Sequence, residues 1–559
     1  MSLTNGTNPG KKRQKGALRR FLQTVVLTSL LVTGGMGLLR LVGFFEKWEI
    51  AAYDSFLDWR PAEAPDDRLL VVGIDEQDIQ GREEYPIQEG TVVDLIDALG
   101  QYEPRAIALD FALDFPQGTE AERAELEALL ASNDRIVSAC IMSNERSPGV
   151  PPGPGVSVEA TAFADFPQDK DGVVRRTILV STPGEVMADE VVRSHICNEP
   201  GAELLSLNFL LALIYLEDEE IFAEQTEAGD IVWENTVIPG LFERSGGYAS
   251  TGATDYQVML NYRARRDAVP QVSLTDVLEG TVDPNLISDR VILVGYTSPV
   301  VNDIFTTPYT ETTPGFRGMS GVMVHAQATS QLISAVMDGR PLISNWPELG
   351  EIFLIGVWSL LAGAMAFYLR RWLLLTLGTV SVSILLWVMA YGLFLQGFWL
   401  PVVPMTIAGI VATLAVSIVS QARQSVYAQA IFEQLKAEMT GPLANQSTSQ
   451  RDRLDALVHR AQSIRQRRGI GDAVARGDLI QPDKDPMHME FDAPEVQVFY
   501  EQIKTQLQHK FDEEKALLET RARSQPSGST KTAKLKALLR KSQHTRRTDT
   551  SSSKGGSHG

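Results

Sequence analysis

Four stretches of this sequence are long and apolar enough to cross a bilayer, and they dictate how the rest is divided. A spanning helix needs about 20 apolar residues to cover roughly 30 Å of hydrocarbon. Phe21–Leu39, Ile352–Leu369, Trp372–Leu395 and Leu400–Ser420 meet that demand. Only Arg370 and Arg371 separate the second run from the third, and the uncharged Gln396-Gly-Phe-Trp399 separates the third from the fourth. Short flanks rich in Lys and Arg stay in the cytoplasm. Lys11, Lys12, Arg13, Lys15, Arg19 and Arg20 put the N-terminus inside; Arg370, Arg371 and Arg423 then also fall inside. The first run is too long for a signal-peptide core and shows no convincing small-x-small cleavage site, so it reads as an uncleaved anchor with Arg40 snorkelling to the headgroups. Trp346, Trp372 and Trp399 fall near the expected interfaces, as aromatic belts do.

Charge follows the same partition. The 559 residues carry 70 acidic and 51 basic side chains, a net charge of −19. Between Glu46 and Glu348 there are 52 acidic and 19 basic residues, while both flanks are net positive. An overall acidic chain argues against general nucleic-acid binding. Two cysteines, Cys140 and Cys197, exclude a disulfide scaffold and leave a single bridge open. The division predicted is a basic cytoplasmic N-terminus (1–20), a membrane helix (21–45), an extracytoplasmic domain (46–348), membrane helices at 349–370, 372–395 and 400–420, a helical cytoplasmic region (421–523) and a disordered tail (524–559). The chain is thus expected in the plasma (inner) membrane, multi-pass, with both termini cytoplasmic.

The acidic block reads as an α/β domain with a mostly parallel sheet. Leu69–Ile74 is a continuous apolar run ending at Asp75, and Ala106–Leu109 is another ending at Asp110. Helical patterns follow each: one from Thr91, with Asp94 three residues on, and one at Ala121–Ala131 opened by Thr119 and Glu122 as a capping box. Arg135–Met142, Val173–Val180, Val258–Tyr262 and Val291–Tyr296 read as further strands. Ser147–Gly155 is an exposed Pro/Gly loop, Leu204–Leu216 a buried helix too short to span, and His325–Met337 a helix returning to the membrane.

Carboxylates at the C-terminal ends of strands can hold ligands in an open parallel sheet. With the strands of Asp75 and Asp110 taken as neighbours, that pair is a candidate site for a divalent or organic cation; the plain alternative is that each caps the next turn. Asp303 and His325 follow the last strand and could join the rim. Arg175 and Arg176, after the Asp171-Gly172 turn, either pair with the acidic surface or hold an anion. No cofactor motif is present and a metal is left open. No hydrolase, P-loop or kinase set appears.

Certain motifs recur in a fixed order: Glu49-Ile-Ala-Ala-Tyr53-Asp54, Val71-Val-Gly-Ile-Asp75, Ala106-Ile-Ala-Leu-Asp110-Phe111 and Asp169-Lys-Asp171-Gly172-Val-Val-Arg175-Arg176. They are followed by Ser273-Leu-Thr-Asp276, Asp289-Arg-Val-Ile-Leu-Val-Gly295, Asp303-Ile-Phe-Thr-Thr-Pro308 and Gly321-Val-Met-Val-His325. This set resembles the CHASE domain of the second type, a cyclase/histidine-kinase-associated sensory extracellular domain of bacterial receptors. The layout of one anchor, an external sensor and three further membrane helices matches as well. The family often carries a Trp-Pro-Trp-Pro-Arg stretch after the first strand; here Tyr85-Pro86-Ile87 stands instead, and Gly315–Ser320 looks inserted. Relatives place a kinase or cyclase after the last membrane helix; the 139 residues here show neither, and read instead as helices at Ser425–Met439, Arg451–Arg468 and Asp492–Phe511, with a short basic amphipathic stretch at Thr530–Lys541. The resemblance implies a receptor in signal transduction; with no output set in the tail, the reading is of one that passes an extracytoplasmic small ligand or condition through its membrane helices to an unknown cytoplasmic partner, as a homodimer and without catalysis of its own. Two rivals stand beside it: an extracytoplasmic metal-dependent enzyme and a structural membrane organiser.

Overall fold

The computed structural model describes residues 21–440, apart from 186–192, 253–254, 302, 311–317 and 370; side chains are described as far as Arg423. These residues fall in one compact unit, Met1–Ser447. The readings of Arg451–Arg468, Asp492–Phe511 and Thr530–Lys541 and the tail 524–559 lie outside the described residues.

In chain order the helices are α1 (Leu22–Leu41), α2 (Glu46–Trp59), α3 (Glu76–Arg82), α4 (Glu89–Gly100), α5 (Glu120–Ser132), α6 (Leu207–Asp218), α7 (Leu274–Leu278), α8 (Gly321–Met337), α9 (Glu348–Tyr368), α10 (Trp372–Phe394) and α11 (Val402–Thr440). The principal strands are β1 (Leu69–Ile74), β2 (Ala106–Asp110), β3 (Ile136–Cys140), β4 (Thr161–Phe163), β5 (Arg176–Ser181), β6 (Leu204–Leu205), β7 (Tyr256–Met259), β8 (Gln271–Ser273) and β9 (Val291–Tyr296).

Six strands form one parallel sheet in the order β8-β1-β9-β2-β3-β4. The mostly parallel sheet expected from the sequence is therefore present, but one detail is corrected. β9, the last long strand of the domain, inserts between β1 and β2, so the strands of Asp75 and Asp110 are not neighbours. Alternation along each strand fills two cores. Leu70, Val72, Ile107, Leu109, Ile292 and Val294 pack under α4, α5 and α7. Leu69, Val71, Ala106, Ala108, Val291 and Leu293 pack under α6 and α8. Both faces are covered, which is why these strands read as unbroken apolar runs. Each fully buried Leu, Ile or Val contributes about 1.5–3 kcal/mol. A second, antiparallel sheet orders β7-β5-β6 beside it.

Local signals held unevenly. Thr119 and Glu122 form the expected capping box of α5. The helix expected from Thr91 begins at Glu89 instead, and the Thr91 hydroxyl donates to Glu84 at 2.9 Å. The chain returns from the sheet through α8, which starts four residues before His325.

Four helices are long and apolar enough to cross a membrane: α1, α9, α10 and Val402–Arg423 of α11. Small residues let α1, α9 and α11 approach closely, as at Ser29, Ser359, Ala362, Gly363, Ala408 and Ala412, all buried. α10 is peripheral, with only Leu386, Ala390 and Phe394 buried. Two interface readings change. Arg40 does not depend on headgroups: it donates to the Glu351 carboxylate of α9 and to the Gly246 carbonyl. Trp399 is enclosed by protein, with Tyr53 and Tyr248 against its ring.

Cys140 at the end of β3 and Cys197 form a disulfide, closing the question the sequence leaves open. Both are buried. A bridge across 57 residues restrains the unfolded chain, so the Cys140→Ser/Cys197→Ser double variant is expected to lose about 2–4 kcal/mol in denaturant titration. Unchanged stability would contradict a structural role for the bridge.

Candidate functional site

Asp75 goes to the plain alternative. It is the N-cap of α3, where its carboxylate accepts from Gln77 N at 2.7 Å and Asp78 N at 2.9 Å, while Asp78 accepts from Asp75 N at 2.9 Å. Asp78 is buried and also accepts from the Thr275 amide and hydroxyl at 3.0 and 2.6 Å, pinning α7 to α3. With β9 between β1 and β2, the structure does not bring Asp75 together with Asp110.

Asp110, Asp303 and His325 do meet. Asp110 ends β2 and is paired in register with Gly295 of β9. A side chain at Gly295 would run into Val322, within 2.7 Å, so the glycine lets α8 lie close on the sheet. His325, one turn after Gly321, then reaches Asp110: Nε2 is 3.9 Å from Oδ1. Its ring lies against Phe166, centroids 4.2 Å apart. Gly321 opens α8 and makes room for the Asp303 carboxylate; a Cβ there would stand 2.7 Å from both of its oxygens. The Gly321 amide, at the positive end of the 17-residue helix, donates to the Asp303 main-chain carbonyl at 3.1 Å and stands beside its carboxylate.

Burial sets the charge of all three. Desolvation, reinforced by Asp303, raises the Asp110 pKa well above the ordinary carboxylate range. Desolvation pushes Asp303 up to about 6 against the pull of the Gly321 amide. Desolvation pushes His325 down to about 3, although the Ala164 backbone favours its protonated form. Asp110 Oδ2 and His325 Nδ1 are buried and have no hydrogen-bond partner among the described residues. Two carboxyls that ionise at a cost, with a neutral imidazole beside them, suit a proton or a small cation that supplies the missing countercharge. Among the described residues no three His, Cys, Asp or Glu side chains are arranged to hold a metal ion.

Asp165, two residues past β4, escapes the sequence reading. Its carboxylate accepts from Met142 N at 2.9 Å, and burial pushes its pKa up to about 6. The strand-end rule that finds Asp110 would find it, but a three-residue strand gives no periodic signal. A cavity of about 620 Å³ opens at the opposite, N-terminal end of the sheet, beside Gly100, Glu103, Pro104, Asn133 and Arg135. The strand-end rule does not anticipate it.

Arg175 and Arg176 pair within the protein. Arg175 makes five hydrogen bonds: two to Asp54 at 2.8 Å each, one to Asp169 at 2.8 Å, and two to Asp171 at 3.0 and 2.8 Å. A guanidinium has five N–H groups, so none is left for an anion. Arg176 takes Asp169, Gln257 and the Thr251 carbonyl, and lies 4.7 Å over the Tyr248 ring. Tyr248 donates to Asp169 at 2.8 Å. The cluster ties α2, directly after the first apolar helix, to β5 of the domain.

A family model described as CHASE2 domain matches residues 27–364, more than half of the chain. No curated protein and no solved structure matches it.

Asp303 gives the site a pH signature. Its folded pKa is raised, so the folded protein holds a proton that the unfolded chain releases, and stability falls as pH rises from about 4 to 6, then levels. Asp303→Asn is expected to abolish that component, up to about 3 kcal/mol, giving a variant whose melting temperature gains on the parent across this window. A constant offset between the two from pH 4 to 8 would contradict the assignment.

Proposed function

The chain belongs to the CHASE2 family of sensory domains, and from that premise we propose that it is a membrane receptor whose domain, residues 46–348, lies outside the cytoplasmic membrane. A cation or proton reaching Asp110, Asp303 and His325 changes the charge balance beneath α8. Because α8 leads into α9, and α2 leads back into α1, a change in that packing bears on two membrane helices. The signal passes to a separate cytoplasmic protein, within a homodimer, and the receptor carries out no chemistry of its own. Both chain termini lie in the cytoplasm.

The observation that carries this reading is the Arg175 cluster. A buried arginine bonded to Asp54 of α2 ties the domain to the helix beside the first span, which gives a change in the domain a path to that span. The acidic balance between Glu46 and Glu348, against basic flanks, supports the external placement. Reporter fusions after residues 150, 371 and 423 are expected to read outside, inside and inside. A cytoplasmic reading at residue 150 would overturn the proposal.

A further inference from the structure

α2 has a second face that the domain does not use. Its inner face is committed: Tyr53 donates to the Leu260 carbonyl at 2.8 Å, and Asp54 holds Arg175. Its outer face, with the end of α10 and the start of α11, borders a groove of about 440 Å³. Phe44, Trp48, Ala51, Trp387, Val403 and Ile407 line it. That volume lies within the roughly 300–1,000 Å³ of small-ligand sites.

The lining points to hydrocarbon. Ser55, its one hydroxyl, donates to the Ala51 carbonyl at 2.7 Å. The Trp387 indole N–H donates to Thr406 at 3.2 Å. Both donors are spent inside the protein and the Ser55 oxygen is the one side-chain acceptor left, so a polar ligand would lose its own water for little in return. Trp387, Val403 and Ile407 belong to helices apolar enough to span, so the groove continues the lipid-facing surface of the bundle. Trp48 is half-exposed at its edge, as an interfacial tryptophan would be.

We propose that this groove seats one acyl chain of an outer-leaflet lipid, so that the lipid beside α2 is an input to the same helix that the domain grips. The proposal rests on the membrane placement put forward above. The test uses the full chain in phosphatidylcholine nanodiscs doped with a phospholipid carrying a diazirine in its acyl chain. Cross-linked peptides are expected at residues 44–55 and 387–407 several-fold above those at 373–384, the exposed part of α10. Ala51→Trp, which fills the groove, is expected to cut the first signal several-fold and leave the second unchanged. Equal labelling of both regions in the wild-type protein would overturn the groove alone, and that ratio decides even where the variant fails to fold. No label on any of the four apolar helices would overturn the membrane placement with it.

Discussion

One buried guanidinium holds the two halves of this molecule to each other. Arg175 is nearly inaccessible, and its charge is balanced by three carboxylates from two directions: Asp54 of α2, and Asp169 and Asp171 of the turn before β5. Burying such a group costs several kcal/mol of lost hydration, so the cluster adds geometric definition rather than net stability. Bidentate pairing with Asp54 fixes how α2 lies against the domain. From there α2 reaches the apolar helices through aromatic contacts. Tyr53 and Phe56 stand 5.5 and 5.4 Å from Phe394, and Phe56 stands 5.7 Å from Trp387. Glu49 accepts from the Val403 amide at the head of α11.

The sheet gives the same connection a second anchor. β9 enters between β1 and β2 only after most of the domain has been made, so the central pairing has high sequence separation and waits on closure of a long loop. α8 then packs on the finished sheet over Gly295 and runs on toward α9. The domain is therefore held at both ends by helices that touch each other, α1 and α9, with Arg40 bonded to Glu351 between them. In the proposed receptor this makes α8 the natural route out of the candidate site, since Gly321 and His325 of that helix frame Asp303 and Asp110.

Much of this was legible in the sequence, for definite reasons. The apolar helices announce themselves by length, and β1, β2 and β9 by continuous burial on two faces. Asp110 and His325 were found because strand ends and helix starts have local signatures. Asp75 shares the Asp110 signature, yet it caps α3, because the next turn of α3 offers its amides within reach. The neighbourhood of β1 and β2 was misread because strand order is set by where β9 fits, which no local pattern records. Arg175 shows the same limit: its partners lie 121, 6 and 4 residues away, and only the fold decides between pairing and an open anion site.

Hydrogen exchange on the Arg175→Met variant tests the central link most directly. Removing one partner of a buried ion cluster costs roughly 3–5 kcal/mol. If Arg175 couples the domain to the apolar helices, amides of α2 and of residues 169–173 lose protection together, by roughly a hundredfold to a few thousandfold, while β1 and β9 stay protected. Should α2 keep its full protection while residues 169–173 open, the domain does not grip the bundle through this arginine, and the account is wrong.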